Sequence, residues 1–326
     1  MGKINVGIIG AAGYTGGELI RLLLHHPETN IAFANSRSNA GKPVHSIHQD
    51  LLGDTELVFS ADIDKTVDVI FLCLGHGESA KFLNENSFPE SVKIIDLAND
   101  FRLHKNANVG ERNFIYGLPE LNREKIKKAN NIANPGCFAT AIQLGLLPLA
   151  QKNLINEVYT TGITGSTGAG QSLTASSHFS WRANNIQAYK TLSHQHLAEI
   201  AESIVSAGAG NEPEISFVPW RGDFTRGIFI SSTISCDLKI EELYSIYEAY
   251  YNSHPFTMVS REPIFLKQVV NTNKAIIQLE KAGNKLVVHS VIDNLLKGAV
   301  GQAIQNMNLI MGLTETTGLQ LKANYF

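Results

Sequence analysis

Ile4-Asn5-Val6-Gly7-Ile8-Ile9-Gly10-Ala11-Ala12-Gly13-Tyr14-Thr15-Gly16-Gly17 reads as a strand running into a glycine turn. Ile4 to Ile9 is an apolar run bounded by glycine, as suits a strand buried on both faces. Glu18 to His26 then carries Leu19, Ile20, Leu22, Leu23 and Leu24 at helical spacing, so a helix follows the turn. The glycines between repeat as Gly-x-x-Gly-x-x-Gly. They permit a tight turn and the close approach of a pyrophosphate, whose charge rests on the helix N-terminus. Such glycines also serve a plain turn. The strand-to-helix setting favours a dinucleotide, with Gly10, Gly13, Tyr14, Thr15 and Gly16 around it.

Working outward, Ile31 to Asn35 reads as the next strand and ends in Ser36-Arg37-Ser38. An NAD enzyme usually has an acidic side chain here for the ribose 2′-hydroxyl; an arginine between two hydroxyls suits a 2′-phosphate, so NADP is the expected cofactor. The competing reading is an ordinary solvated arginine. Val67 to Leu74 and Val92 to Leu97 repeat the buried-strand pattern, with Glu78 to Asn86 as a crossover helix, and this alternation predicts a doubly wound parallel sheet. Gly75 and His76 lie at the carboxyl end of such a strand, where open sheets bind ligands; His76 could equally cap the helix. Arg102 is a candidate for an anionic substrate group, or for an ion pair with Asp100 or Glu111.

Composition narrows the function. With 326 residues, 44% hydrophobic and 17% charged, the chain has material for two domains. A net charge of -3 supplies no footprint for nucleic acid or an anionic membrane. Cys73, Cys137 and Cys236 have no C-x-x-C spacing, which argues against zinc or a disulfide framework and suits a reducing compartment. No basic segment followed by an apolar h-region is seen, and no apolar run reaches membrane-spanning length, so a cytoplasmic protein is expected.

The chemistry is expected at Asn134-Pro135-Gly136-Cys137-Phe138-Ala139-Thr140. An apolar helical pattern follows, which Pro148 should end or kink. Cys137 falls in the first helical turn, where unpaired N–H groups and the helix dipole favour a thiolate. The bland alternative is a small buried residue. Glu157 to Thr164 reads as a strand. The Gly165-Ser166-Thr167-Gly168-Ala169-Gly170 loop after it offers N–H groups to a phosphate or carboxylate, or is only a connection. His194, His196 and Glu199 open a further helix, with His196 and Glu199 on one face. A metal is not expected there, for want of further ligands; a histidine beside a thiol, oriented by a carboxylate, is more economical. Arg221 and Arg226 precede a strand from Gly227 to Cys236. An amphipathic helix (Glu241 to Asn252), a hairpin across Lys281 to Asn284 and a final helix ending near Gly312 complete a mixed, mostly antiparallel second domain.

These residues resemble the N-acetyl-γ-glutamyl-phosphate reductase family of arginine biosynthesis, related to aspartate-semialdehyde and glyceraldehyde-3-phosphate dehydrogenases. The resemblance rests on Gly10 to Leu19, Asp100-Phe-Arg-Leu103, Tyr116 to Leu121, Asn134-Pro-Gly-Cys137, His194-x-His196-x-x-Glu199, Ile292 to Gln302 and Gln305 to Asn308. It implies an α/β fold: a Rossmann doubly wound parallel sheet with an inserted α+β catalytic domain. The expected division is 1–147 for the NADP-binding domain, 148–296 for the catalytic and oligomerisation domain, and 297–326 for a helix returning to the first. It implies Cys137 as nucleophile, His196 or His194 as acid/base and Glu199 beside them. The cofactor would meet Gly75 and Asn294 besides the glycine turn and Ser36 to Ser38. The acyl-phosphate substrate would meet Arg102, Asn134, Ser166, Gln171 and Arg226. A homodimer or homotetramer is implied, with no nucleic-acid or membrane partner. Gln195, Ala198, Gln171, Gly75 and Trp220 to Phe224 depart from the usual pattern. So do Arg182 and Arg221, which are open to two readings, as surface residues or as partners of a second carboxylate on an N-succinyl substrate. An aminoadipyl-phosphate reductase would share these motifs. A non-catalytic NADP sensor would need none of Cys137, His196 and Glu199.

Overall fold

The structure, a computed structural model, describes residues 2–210 and 212–326. The alternation of apolar runs and amphipathic segments builds a first unit from the chain through Pro135 together with Ala299–Gln320. Its strands are β1 (Ile4–Ile9), β2 (Thr29–Asn35), β3 (Phe59–Ser60), β4 (Val69–Leu72), β5 (Lys93–Asp96), β6 (Asn108–Val109), β7 (Arg112–Tyr116) and β8 (Asn131–Ala133). They lie in the order β3-β2-β1-β4-β5-β8-β7-β6, parallel throughout except for β6 on β7. This is the expected doubly wound sheet. Every residue of β4 is buried, which is why its sequence is apolar without alternation.

Three helices of this unit follow β1, β4 and β7: α1 (Tyr14–Leu24), α2 (Glu78–Glu85) and α3 (Pro119–Ile126). Helix α1 starts four residues before the apolar pattern does, because the glycine stretch itself bends into its first turn with Gly13 as N-cap. The last helix of the chain, α8 (Gly301–Ile310), is buried along its whole length. Its polar side chains are spent inside the unit: Asn306 Nδ2 donates to Gly117 O at 2.8 Å, and Asn308 Oδ1 meets His26 Nε2 at 3.0 Å.

The second unit is Gly136–Gly298 with Leu321–Phe326. Its strands are β9 (Glu157–Thr164), β10 (Gln187–Ala188), β11 (Glu214–Arg221), β12 (Ile228–Ser235), β13 (Thr257–Ser260), β14 (Ala275–Ala282) and β15 (Lys285–Ile292). The sheet order is β10-β11-β9-β12-β15-β14-β13. The β9–β11 and β13–β14 pairs are parallel and the others antiparallel, so the sheet is mixed, as expected. Its helices are α4 (Cys137–Gln151), α5 (Phe179–Arg182), α6 (Leu197–Ala207) and α7 (Ile240–Tyr251).

Two expectations need correcting. The division falls at Pro135/Gly136 and Gly298/Ala299, not after 147 and 296, because α4 is buried on every face and packs between α6, α7 and the strands β12, β14 and β15. Pro148 does not end α4, which continues to Gln151. Proline supplies no N–H to the carbonyl four residues back. That carbonyl, on Leu144, accepts the Tyr251 hydroxyl instead, and Gly145 O accepts the Tyr247 hydroxyl at 2.6 Å.

Candidate active site

Cys137 is the first residue of α4, half-buried, with Gly136 as the N-cap. The N–H of Gly136 donates to Glu199 Oε2 at 3.1 Å. The other oxygen of that carboxylate, Oε1, stands 3.7 Å from His196 Nε2. Glu199 lies in the first turn of α6, and His196 is that helix's N-cap. Gln143 of α4 locks the two helices together, its Nε2 donating to Glu199 O and Ser203 Oγ, both at 3.1 Å. One buried carboxylate thus ties the turn that presents the thiol to an imidazole.

The two histidines occupy different surroundings. His194 is ringed by aromatics: Phe138, Phe217 and Tyr189 stand edge-on with centroids 5.5, 5.6 and 5.9 Å away. Its Nδ1 accepts the His196 N–H at 3.2 Å, so the neutral ring carries its proton on Nε2. Burial, and then the nearby Lys190 ammonium, push its pKa down to about 4; it is a neutral imidazole at physiological pH. Tyr189 belonged to no motif, yet burial and then the Cys137 sulfur push its phenol up to about 12. Its loop runs along β11, with Tyr189 N donating to Pro219 O and Leu192 N to Phe217 O. Lys190 and Leu192 hold left-handed backbone there, at φ 45° and 57°, a conformation that costs strain in residues with a side chain.

In the first unit a cavity of about 410 Å³ is lined by Gly10, Ser36, Arg37, Ser38, Leu74 and Lys81, among others. Three strand ends and α2 thus bring Gly10 of the glycine turn together with Ser36, Arg37 and Ser38. Gly10 has φ +79°, and a Cβ there would meet Cys73 O at 2.5 Å, so only glycine turns the chain here. Tyr14, Thr15 and Gly16 form the first turn of α1. Arg37 is exposed beside Ser36 and Ser38, whose hydroxyls Asn39 Nδ2 holds at 3.2 and 3.3 Å. No acid replaces it among the cavity residues contributed by β2 and its loop. The residues fit a nicotinamide dinucleotide.

Residues 5–129 match the family described as semialdehyde dehydrogenase, NAD binding domain, and residues 137–294 match semialdehyde dehydrogenase, dimerisation domain. The chain is 57% identical to the N-acetyl-gamma-glutamyl-phosphate reductase of Flavobacterium johnsoniae, over 99% of this chain and 100% of that one. It is 55% identical to that of Christiangramia forsetii with the same coverage. The chain belongs to the N-acetyl-gamma-glutamyl-phosphate reductase family. It is an oxidoreductase of the nicotinamide-nucleotide class. Its fold is also that of aspartate semialdehyde dehydrogenase II of Vibrio cholerae, solved in complex with ASA (TM-score 0.75, 16% identity, 96% and 99% of the two chains). The aspartate semialdehyde dehydrogenase of Candida albicans, solved with NADP, matches at TM-score 0.68 and 16% identity over 95% and 98%.

Several other reductase residues stand elsewhere than their sequence suggests. Arg102, expected on an anionic substrate, donates from Nε to Asn134 O at 2.9 Å and from Nη2 to Leu97 O at 3.0 Å. Asn134, likewise expected on substrate, is buried, with Nδ2 on Ala299 O at 3.0 Å and Oδ1 accepting from Asn306. Both brace the first unit's own backbone. The Gly165 to Gly170 loop, read as an anion cradle or only a connection, spends most of its N–H groups on the chain's own carbonyls. The N–H groups of Gly165, Ser166 and Thr167 donate to Gly227 O, Phe224 O and Thr225 O, and those of Gly168 and Gly170 donate within the loop. Gln171 beyond it is exposed. Asn294, expected at the cofactor, ties this loop down, its Oδ1 accepting Gly227 N at 2.6 Å and its Nδ2 donating to Thr167 Oγ1 at 3.0 Å. Arg226 meets the buried Asp293 through Nε at 3.1 Å and Nη2 at 3.2 Å. Gly75 is exposed after β4. Gly298 passes so close to the backbone of Cys137 that a Cβ there would stand 2.8 Å from Cys137 Cβ. Among the described residues no cluster of three or more His, Cys, Asp or Glu could hold a metal, and no helix is long and apolar enough to cross a membrane.

Proposed function

We propose that the chain reduces an N-acyl-γ-glutamyl phosphate to the corresponding semialdehyde, releasing phosphate, in arginine biosynthesis. The observation that carries this reading is the Glu199 bridge between the Gly136 N–H and His196. It sets a thiol at a helix N-terminus and an imidazole in one frame, as acyl transfer through sulfur requires. The Cys137 thiolate attacks the acyl carbonyl, and phosphate leaves as the thioester forms. The unpaired N–H groups of the first turn of α4 stabilise the oxyanion of that step. The Gly10 turn and the Ser36–Ser38 cavity would hold a nicotinamide dinucleotide, which would supply hydride chemistry for the thioester carbonyl. His196 protonates the resulting oxyanion and takes the proton back as the C–S bond breaks, restoring the thiolate. His194, neutral and enclosed by aromatic rings, fixes the backbone of His196 rather than exchanging protons itself. Glu199 positions both partners.

Arg37 supports NADP over NAD, since a guanidinium suits the 2′-phosphate. The match to a dimerisation domain supports a homodimer or homotetramer, and the same reading takes the protein as cytoplasmic. The test is phosphate-dependent reduction of NADP and of NAD with N-acyl glutamate semialdehydes. Cys137→Ser should abolish that turnover and leave dinucleotide binding intact. Turnover retained by the serine variant would refute the nucleophile.

A further inference from the structure

Along β11, side chains two apart share a face of the sheet. Phe217 packs on Phe138, the residue after the thiol, with centroids 5.1 Å apart, so Arg221, four residues on, projects from the same face at the strand's carboxyl end. There its guanidinium carbon stands 4.7 Å from the centroid of Tyr189. Burial first and then the Cys137 sulfur raise that phenol, while Arg221 lowers it, so both groups lie near Tyr189. Arg182, closing α5, donates from Nη2 to the carbonyl of Gly222, the residue after Arg221. The Nε of each arginine is buried and has no hydrogen-bond partner.

Among the described residues no carboxylate neutralises either arginine. The acid nearest in sequence, Asp223, turns its Oδ2 to Asn184 N at 2.6 Å. Among the described residues no carboxylate lies within ion-pair distance of Arg182 or Arg221. The other cations of this region are engaged: Arg226 on Asp293, and Lys190 Nζ on Gln195 Oε1 at 2.6 Å. Guanidinium groups buried in part with idle donors call for an anion, and a planar carboxylate matches their fork.

Position along the substrate decides which anion. The phosphate is bonded to the carbonyl that the thiol attacks, so it lies beside Cys137. Arg221 lies four residues along β11 from Phe217, about 13 Å at the rise of a strand, and Arg182 contacts the residue after it, so the anion they serve lies on the remote, N-acyl end. We infer that Arg221 and Arg182 form a subsite for an N-acyl group bearing its own carboxylate, a half-amide of a short dicarboxylic acid, in place of a neutral acetyl group. This rests on the reaction proposed above and names its substrate class.

The probes are N-succinyl- and N-acetyl-glutamate semialdehyde, assayed by phosphate-dependent reduction of NADP. The unmodified protein should prefer the succinyl compound in kcat/KM by about 10- to 100-fold, the range of a charge-assisted hydrogen-bonded pair. Arg221→Gln and Arg182→Gln should each erase most of that preference through the KM of the succinyl compound, changing the acetyl reaction less than about 3-fold. Arg221→Lys, which keeps the charge and loses the fork, should fall between. Equal or better use of the acetyl compound by the unmodified protein overturns the subsite. So does an equal loss on both substrates in Arg221→Gln, which would put the arginine on the α-carboxylate they share. Turnover of neither semialdehyde overturns the underlying reaction and the subsite with it.

Discussion

Gly298→Ala introduces one methyl group at a backbone crossing against Cys137, the proposed nucleophile. The φ of Gly298 is not in the left-handed region, so alanine brings no backbone strain and the whole effect is steric. The new Cβ would stand 2.8 Å from Cys137 Cβ, 3.2 Å from its Cα and 3.3 Å from Asp293 O. Carbon atoms settle at about 3.5–4.0 Å, so the two segments must part by about 0.7 Å or more. Asp293 is anchored by the N–H groups of Leu295, Leu296 and Asn271 and yields least. The displacement therefore falls on the first turn of α4. Overpacking of this kind costs about 1–3 kcal/mol of stability, and a shift near 1 Å at a reacting atom lowers a rate by about 100-fold. Phosphate-dependent NADP reduction should drop by that order with dinucleotide affinity unchanged, while denaturant titration shows the modest stability loss. A variant within about 3-fold of the unmodified rate and equally stable would refute the placement of Gly298 against a catalytic thiol.

Arg37→Met should raise the KM for NADP by about 10-fold or more while leaving NAD unaffected; a matched change for both cofactors would remove Arg37 from the 2′-phosphate. Tyr251→Phe should cost about 1–3 kcal/mol by leaving the buried Leu144 carbonyl unpaired, and adding Pro148→Ala should recover part of that loss by restoring a backbone N–H, as chemical denaturation of both variants would show. His194 has a native pKa near 4 against 6.5 for the free side chain, so the unfolded chain binds the extra proton between those values. Stability should therefore fall as pH drops from about 6.5 to about 4 and lose this component no further below that window. His194→Gln should flatten the slope, and an unchanged slope would count against the buried neutral ring.

How far the fold was legible depended on whether the deciding contacts were local. β1 and β9 carry their limits in the residues themselves, with apolar or alternating runs bounded by glycine and polar residues, and their observed spans match those read. β11 escaped notice because Pro219 interrupts an otherwise strand-like run, and proline in a sheet interior ordinarily argues against a strand. It is admitted here because β10 pairs only with Trp220 and Arg221. The start of α1 at Tyr14 was hidden by two glycines of low helix propensity.

Long-range partners account for most of the remaining differences. Nothing near Gly165 announces that its loop spends its N–H groups on a backbone some sixty residues away. Nothing near Asn294 shows that its amide fastens the same loop. Tyr189 reaches the thiol's surroundings only through strand packing that no local pattern encodes. The Cys137, His196 and Glu199 set was readable because helix-start chemistry and three-residue spacing are local features.

The Glu199 carboxylate described above serves two partners on opposite sides with one side chain of fixed reach. Aspartate, shorter by a methylene, would have to abandon either the main-chain amide or the ring. The site therefore tolerates no gradual retuning at this position. A change there would disturb the turn before Cys137 and the setting of the His196 ring together.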